Sequence, residues 1–387
     1  MHFEAGSTLE PTSEGRSLRS RLLQFVATTI EGSMSMSRVH FKANASPTIA
    51  PHCFRGMRLS MNWVALICFA MSFLVGLTPA HLRAEHELQA IIDSLEPYQA
   101  KSVWKGKVVI VGSGSVAGLA EMWSREVKVF HSDAVLEAVG GGSEFGLEHL
   151  LTKPEDVAAV TRPLEQADVE KLKSAGMKEP VAIIVGLDAL AVFVHPKNPM
   201  QSITPDQFRK IYCNSDKFGK CANWGALGLA ESFEAKPVVV YDRGASSGTQ
   251  VYAERYLLQG EKVRADAQNK DSNLAVVDAV AADEGGICIA PLYLKSDKVK
   301  ALPLAIGERM ITADESSILL GQYPLLRPIC LVFDRGGKAE TVTNIKTMLQ
   351  YVLSREGQLD AVKAGYFPLN IDQIRQQQDV LGLEMVR

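Results

Sequence analysis

KVVIVGSGSVAGLAEMWSREV, residues 107–127, is the stretch whose reading decides the fold. Lys107–Val111 is an apolar, β-branched run of the kind that forms a buried strand. Gly112-Ser113-Gly114-Ser115 then breaks the run with a turn. A helical segment follows up to Val127. Strand, glycine turn and helix together make one unit of an α/β protein.

The same grammar recurs downstream. VAAVTRPL reads as a short strand with a turn, and QADVEKLKSAG as a helix stopped by glycine. PVAIIVGLDALAVFVHP reads as two apolar strands around Gly186-Leu187-Asp188. TPDQFRKIYC reads as a helix with Thr204 as N-cap and Pro205 in the first turn. PVVVYDRGASSGTQVYAERYLL is again strand, loop and helix; NLAVVDAVAADEGG is a helix and GGICIAPL a buried strand. Arg327–Phe333 forms another strand, and TVTNIKTMLQYVLSREGQ one long amphipathic helix. This alternation predicts an α/β architecture on a mostly parallel sheet.

Chemistry concentrates in three glycine-serine turns, each opening a helix. They are Gly112–Ser115, Gly140-Gly141-Gly142-Ser143, and Gly244-Ala245-Ser246-Ser247-Gly248-Thr249 after Arg243. A helix start presents unpaired N–H groups and partial positive charge, so it suits an anion. Glycine allows close backbone approach, hydroxyls add donors, and Arg243 offers a fork that grips paired oxygens. Taken singly, each turn is an ordinary cap and Arg243 an ordinary surface residue. Together they make a site only if the fold gathers them. None is a nucleotide fingerprint: no GK[ST] occurs, and the glycine after Gly112-Ser113-Gly114 falls at 118.

Four stretches resemble the periplasmic phosphate-binding protein family of ABC phosphate uptake systems. They are GSGSVAGLAEMW, LDALAVFVHPKNPMQSITPDQFRKIYC with Asn223-Trp224, YDRGASSGTQVYAERYL, and SREGQLDAVKAGYFPLN. The likeness runs from about Lys107 to Asn370. It implies an α/β, two-lobed clamshell of periplasmic-binding-protein type 2, crossed twice by the chain. The first lobe would combine residues 85–187 and 292–387, and the second 188–291. It also implies that Ser115, the amide of Val116, Ser143, Arg243, Ser247, Gly248 and Thr249 donate to an anion in the cleft. Where well-known members carry an aspartate that accepts the proton of hydrogen phosphate, this chain has Thr161, followed by Arg162. Thr161 can donate or accept, which weakens the discrimination between phosphate and sulfate. Glu144 or Asp242 is an alternative carboxylate, and Asp242 also stands beside Arg243, where it could orient the guanidinium.

The bulk properties fit such a receptor. A chain of 387 residues has room for two lobes, and 47 % hydrophobic with 22 % charged residues is ordinary for a folded core. A net charge of -3 argues against a nucleic-acid partner and leaves anion capture to local donors. Cysteines are few and form no CxxC pair, so neither a zinc site nor another cofactor is expected. Cys213 and Cys221 flank a polar loop and are candidates for a disulfide; Cys288 and Cys330 read as core residues. The apolar run Trp63–Leu77 is short for a span of about 20 residues. With Arg58 before it and small residues after it, the run reads as a signal peptide over 57–84, cleaved after Ala80 or Ala84. Residues 1–56 are expected to be an unfolded start-site extension, with translation beginning at Met57 or Met61.

The expected function is an exported, monomeric, non-enzymatic receptor, periplasmic or secreted. It would capture phosphate or a similar tetrahedral oxyanion and pass it to an ABC permease. The rivals are a phosphate-ester hydrolase using Ser247 or Ser115, and an anion-sensing module that transports nothing.

Overall fold

The computed structural model describes residues 79–382; the expected extension and the apolar run of the signal peptide lie outside the described residues. Helix α1 (Pro79–Asp93), which contains both expected cleavage points, precedes the sheet. Strand β1 (Gly106–Gly112) turns into α2 (Gly114–Glu126), β2 (Ala134–Gly140) into α3 (Ser143–Leu150), and β3 (Val157–Val160) leads to α4 (Gln166–Ser174). Strand β4 (Pro180–Val194) is followed by α5 (Pro205–Cys213), β5 (Val239–Asp242), α6 (Gly248–Tyr252), β6 (Gln268–Asn269), α7 (Asn273–Ala282) and β7 (Gly286–Pro291). Short elements β8 (Lys300–Ala301), β9 (Leu304–Ile306), β10 (Arg309–Ile311) and α8 (Glu315–Leu319) lead into β11 (Leu326–Asp334). Helices α9 (Ala339–Val352), α10 (Arg355–Lys363) and α11 (Ile371–Leu381) complete the described chain.

The main sheet runs β2-β1-β3-β11-β4-β7-β5-β6. Of the three apolar cores among the described residues, two mark the lobes. The first gathers Val108, Ile110, Leu119, Trp123, Ile183, Leu331 and Ile345; the second gathers Leu190, Phe193, Ile211, Trp224, Val240 and Ile287. Strand β4 starts in the first core and ends in the second, and β11 returns from Leu326, packed against the second, to Ile329 in the first. The chain therefore crosses twice between two lobes. The second core also holds Val299, Leu302, Ile311, Ile318 and Tyr323, so the segment 292–325, expected in the first lobe, packs in the second. Its strand β8 pairs with β4 beside Phe193, which fixes that placement.

Strand direction explains where the turns end up. β1, β2 and β3 are mutually parallel, and β11 runs against both β3 and β4. β4 is antiparallel to β7, which is parallel to β5. Strands β1 to β3 thus share the direction of β4 and end facing the second lobe. β5 runs oppositely and ends facing the first. The turns following all of them meet between the lobes.

Three expectations of local structure change. The sheet is mixed rather than mostly parallel, because β11 enters from far along the chain between β3 and β4. The two strands expected around Gly186 are one 15-residue strand. The register shifts by one residue there, since Ile329 and Cys330 pair with Gly186 and Ile184 and leave Val185 of β4 as the extra residue, and Asp188 faces Arg327 in register. The expected single long helix is two, α9 and α10. Ser354 caps the second by accepting from Gly357 N, and Gly357 abuts the Tyr351 carbonyl too closely for a straight helix to continue with a side chain there.

Candidate anion site

Each glycine-serine turn opens a helix as its sequence suggests, but only the third uses its serine as a side-chain cap. Ser247 Oγ accepts from Thr249 N at 3.1 Å, whereas Ser113 and Gly142 make no side-chain cap bond. Positive φ at Gly112 and Gly142, 138° and 104°, turns the chain sharply at these strand ends.

The three turns close into a ring. The first meets the second where Gly142 N donates to Gly112 O at 2.9 Å. The second meets the third at Glu144 N and Ser246 O, 3.4 Å apart, and where Gly248 packs against Ser143 and Thr161. The third returns to the first through Asn273. Its Oδ1 accepts from Arg243 Nη1 at 3.0 Å, and its Nδ2 donates to Ser115 Oγ at 2.9 Å. Ser115, Ser143, Thr161, Ser247, Gly248 and Thr249 are all buried around this ring.

The sequence-derived residues differ in what they still offer. Ser143 Oγ accepts from Thr161 N at 3.1 Å and lies 3.4 Å from Thr161 Oγ1. Arg243 is anchored by Nε on Lys270 O and by Nη1 on Asn273, while Nη2 has no protein partner among the described residues. Burial lowers its pKa, with the charges of Asp242 and Asp271 opposing. Val116 corrects an expectation: its amide donates to Ser113 O at 2.9 Å and is not free in this arrangement.

Of the two alternative carboxylates, Glu144 is engaged elsewhere. Glu144 receives Nε and Nη2 of the fully buried Arg162 at 2.8 and 3.2 Å, and Asp168 takes the rest of that guanidinium. Arg162, next to Thr161, and Glu144, next to Ser143, thereby brace the two hydroxyls. Burial lowers the Arg162 pKa, but hydrogen bonds to both carboxylates outweigh it and raise the value overall. Asp242 does not orient the Arg243 guanidinium. It is buried, and its Oδ2 has no partner among the described residues.

Burial pushes the Asp242 pKa up to about 6, with the amides of Arg243 and Gly244 opposing. A raised carboxyl pKa means that folding favours the protonated form. The stability this group contributes is present below its unfolded value, about 4, and is lost as pH rises to about 6. Asp242→Asn is therefore expected to be more stable than the parent at pH 7, by about 3 kcal/mol, and nearly equal at pH 4. Denaturant melts at the two pH values check this. An equal gain at both would assign the effect to something other than ionisation.

Sequence reasoning missed the strongest polar group beside the ring. Arg327 on β11 is buried with Asp188 on β4, donating Nε and Nη2 to Asp188 Oδ2 at 3.0 and 2.7 Å. Its Nη1 donates to Thr249 Oγ1 at 3.0 Å. The available signal was a single charge inside each apolar strand run, since such charges are rarely buried unless paired. Asn273 was missed because it reads only as the first residue of a helix.

Outside the ring, Cys213 and Cys221 are both free, so the expected disulfide is not formed; Cys221 Sγ is turned toward Asn223 O. Cys288 and Cys330 are likewise free, on strands separated by β4. A cavity of about 370 Å³ opens near Glu144, Ala245, Arg255 and Lys262, but none of the ring's hydroxyl residues lines it. Among the described residues, no helix is long and apolar enough to cross a membrane, and no group of three or more His, Cys, Asp or Glu side chains could hold a metal.

Known proteins resemble the chain in sequence and in fold. The chain is 29 % identical to phosphate-binding protein PstS of Pseudomonas aeruginosa over 297 residues, covering 75 % of this chain and 91 % of that one. It is 28 % identical to protein SphX of Synechococcus elongatus, covering 73 % and 83 %. In three dimensions it matches a chain from Clostridium perfringens described as a phosphate ABC transporter substrate-binding protein with bound phosphate. That match has a TM-score of 0.57 and 24 % identity, over 68 % of this chain and 100 % of that one. An ABC-type phosphate transport receptor from Vibrio cholerae matches with a TM-score of 0.53 and 23 % identity over the same shares. The PBP superfamily domain profile matches residues 99–356, and with its two lobes and two crossings the chain belongs to the PBP superfamily.

Proposed function

We propose that this protein is an exported solute receptor that captures phosphate, or a similar tetrahedral oxyanion, in the ring and delivers it to an ABC importer. The observation that carries the reading is the closure of three helix-opening turns, drawn from both lobes, into one ring of buried hydroxyls with a guanidinium. Ser115, Ser143, Thr161, Ser247, Gly248 and Thr249 would surround the anion, and Arg243 would supply the charge. Such a set can replace the hydration shell of a small oxyanion without a metal. The names of the relatives, which bind or transport phosphate, support the choice of anion.

Lobe closure would follow from donors contributed by each side. An anion that meets its full set of partners only in the closed form binds that form more tightly, and this difference drives closure. The closed monomer would then dock on the permease subunits in the membrane, after removal of the signal peptide. Hydrolysis by Ser247 or Ser115 is less well supported. Their oxygens accept from Thr249 N and Asn273 Nδ2, and neither is bonded to a histidine or carboxylate among the described residues.

Isothermal titration of protein stripped of bound ligand tests the reading, with phosphate, arsenate, sulfate, molybdate and tungstate as titrants. Tight phosphate binding with weak sulfate response is expected. A preference for sulfate, molybdate or tungstate would keep the cleft and change the ligand; binding of none would end the receptor reading.

A further inference from the structure

Thr249 stands at the start of α6, with its hydroxyl in contact with a residue from another part of the chain. Thr249 Oγ1 receives Arg327 Nη1 at 3.0 Å, and Arg327 is held by two further bonds to Asp188. A guanidinium carries donors only, in a rigid plane. Along this line the hydroxyl oxygen must therefore accept, and its own hydrogen must be given elsewhere. Thr249 N, on the other side, is already spent on Ser247 Oγ. What Thr249 has left to give is one O–H. Its neighbour Gly248 packs against Ser143 and Thr161, which sets Thr249 next to the ring.

Arg327 is also placed to hold this geometry firmly. It pairs in register with Asp188 on the two strands that cross between the lobes, and both side chains are buried. Asp188 balances its charge, so its influence on an anion is exerted mainly through the atom it touches. We infer that Arg327 is a positioning residue of the anion site: it fixes the Thr249 hydroxyl as a donor aimed into the ring, and ties that donor to the crossing strands. This rests on the anion reading given above.

A double-mutant cycle on the full chain, read by titration with phosphate and with sulfate, tests it. Arg327→Lys keeps a charge opposite Asp188 but lacks the fork to serve Asp188 and Thr249 together. Thr249→Val keeps the shape and removes the hydroxyl, and Thr249→Ser restores it. Each of Arg327→Lys and Thr249→Val is expected to weaken binding of the preferred anion about tenfold or more, with Thr249→Ser within about threefold of the parent. The pair combined is expected to be no weaker than Thr249→Val alone, because residues that act as a unit are not additive. Full additivity, or no loss in Arg327→Lys, overturns the inference, since Arg327 would then act directly on the anion or not at all. If the parent binds none of the oxyanions, the anion reading itself fails, a result separable from additivity in a protein that does bind.

Discussion

Arg243→Ala is expected to weaken oxyanion binding by about 2–5 kcal/mol, some tens- to thousands-fold, with little change in thermal stability. The guanidinium is partly buried and fixed at two points, Lys270 O and Asn273 Oδ1, with Nη2 left over. Its orientation is therefore set before any ligand arrives, and little rotamer entropy remains to be lost on binding. Among the described residues, the other two guanidiniums beside the hydroxyls are spent: Arg162 is divided between Glu144 and Asp168, and Arg327 is matched by Asp188. Removing Arg243 leaves the anion with neutral donors. Arg243→Lys should recover only part of the loss, because an ammonium cannot hold Lys270 O, Asn273 and the anion in one plane. Titration calorimetry checks both variants, and unchanged affinity in Arg243→Ala would remove this residue from the site.

Gly248→Ala is expected to reduce affinity by about a hundredfold or more while leaving each lobe folded. A Cβ at Gly248 would fall 2.5 Å from Thr161 Oγ1 and closer still to Ser143 Oγ. Both neighbours are buried; the Thr161 amide holds Ser143 Oγ, and Thr161 Oγ1 lies 3.4 Å from that oxygen, so there is little room to swing aside. The φ of Gly248 is not in the left-handed region, so alanine brings no backbone strain of its own. The clash arises between residues of opposite lobes, and it acts on the closed form alone. The measured signature is lost affinity with an almost unchanged melting temperature for the ligand-free protein. A fall in ligand-free stability instead would show that Gly248 supports the second lobe and not closure.

Much of this was legible in the residues. The three turns carried their own signals, since glycine and serine at the end of an apolar run dictate a helix start wherever they occur. Thr204 and Pro205 likewise announced α5, and the structure adds a reciprocal bond in which Thr204 N donates to Gln207 Oε1. The reading failed where an element's identity depended on its neighbours. Gly186-Leu187-Asp188 looks like a turn until a second strand pairs along it and sets an arginine opposite Asp188. Glu144 looks like a free carboxylate until the end of β3 brings Arg162 onto it.

What the sequence by itself determined, then, is local: strand and helix periods, the turns between them, and the donor-rich chemistry those turns expose. These follow from backbone freedom and short-range hydrogen bonding, which need only a few consecutive residues. The tertiary structure alone decided which lobe the segment 292–325 joins, that β4 runs unbroken through both cores, and which charges are spent on each other. It also decided that Arg327 reaches Thr249. Those outcomes rest on strand direction and burial, and both are properties of residues brought together from distant parts of the chain.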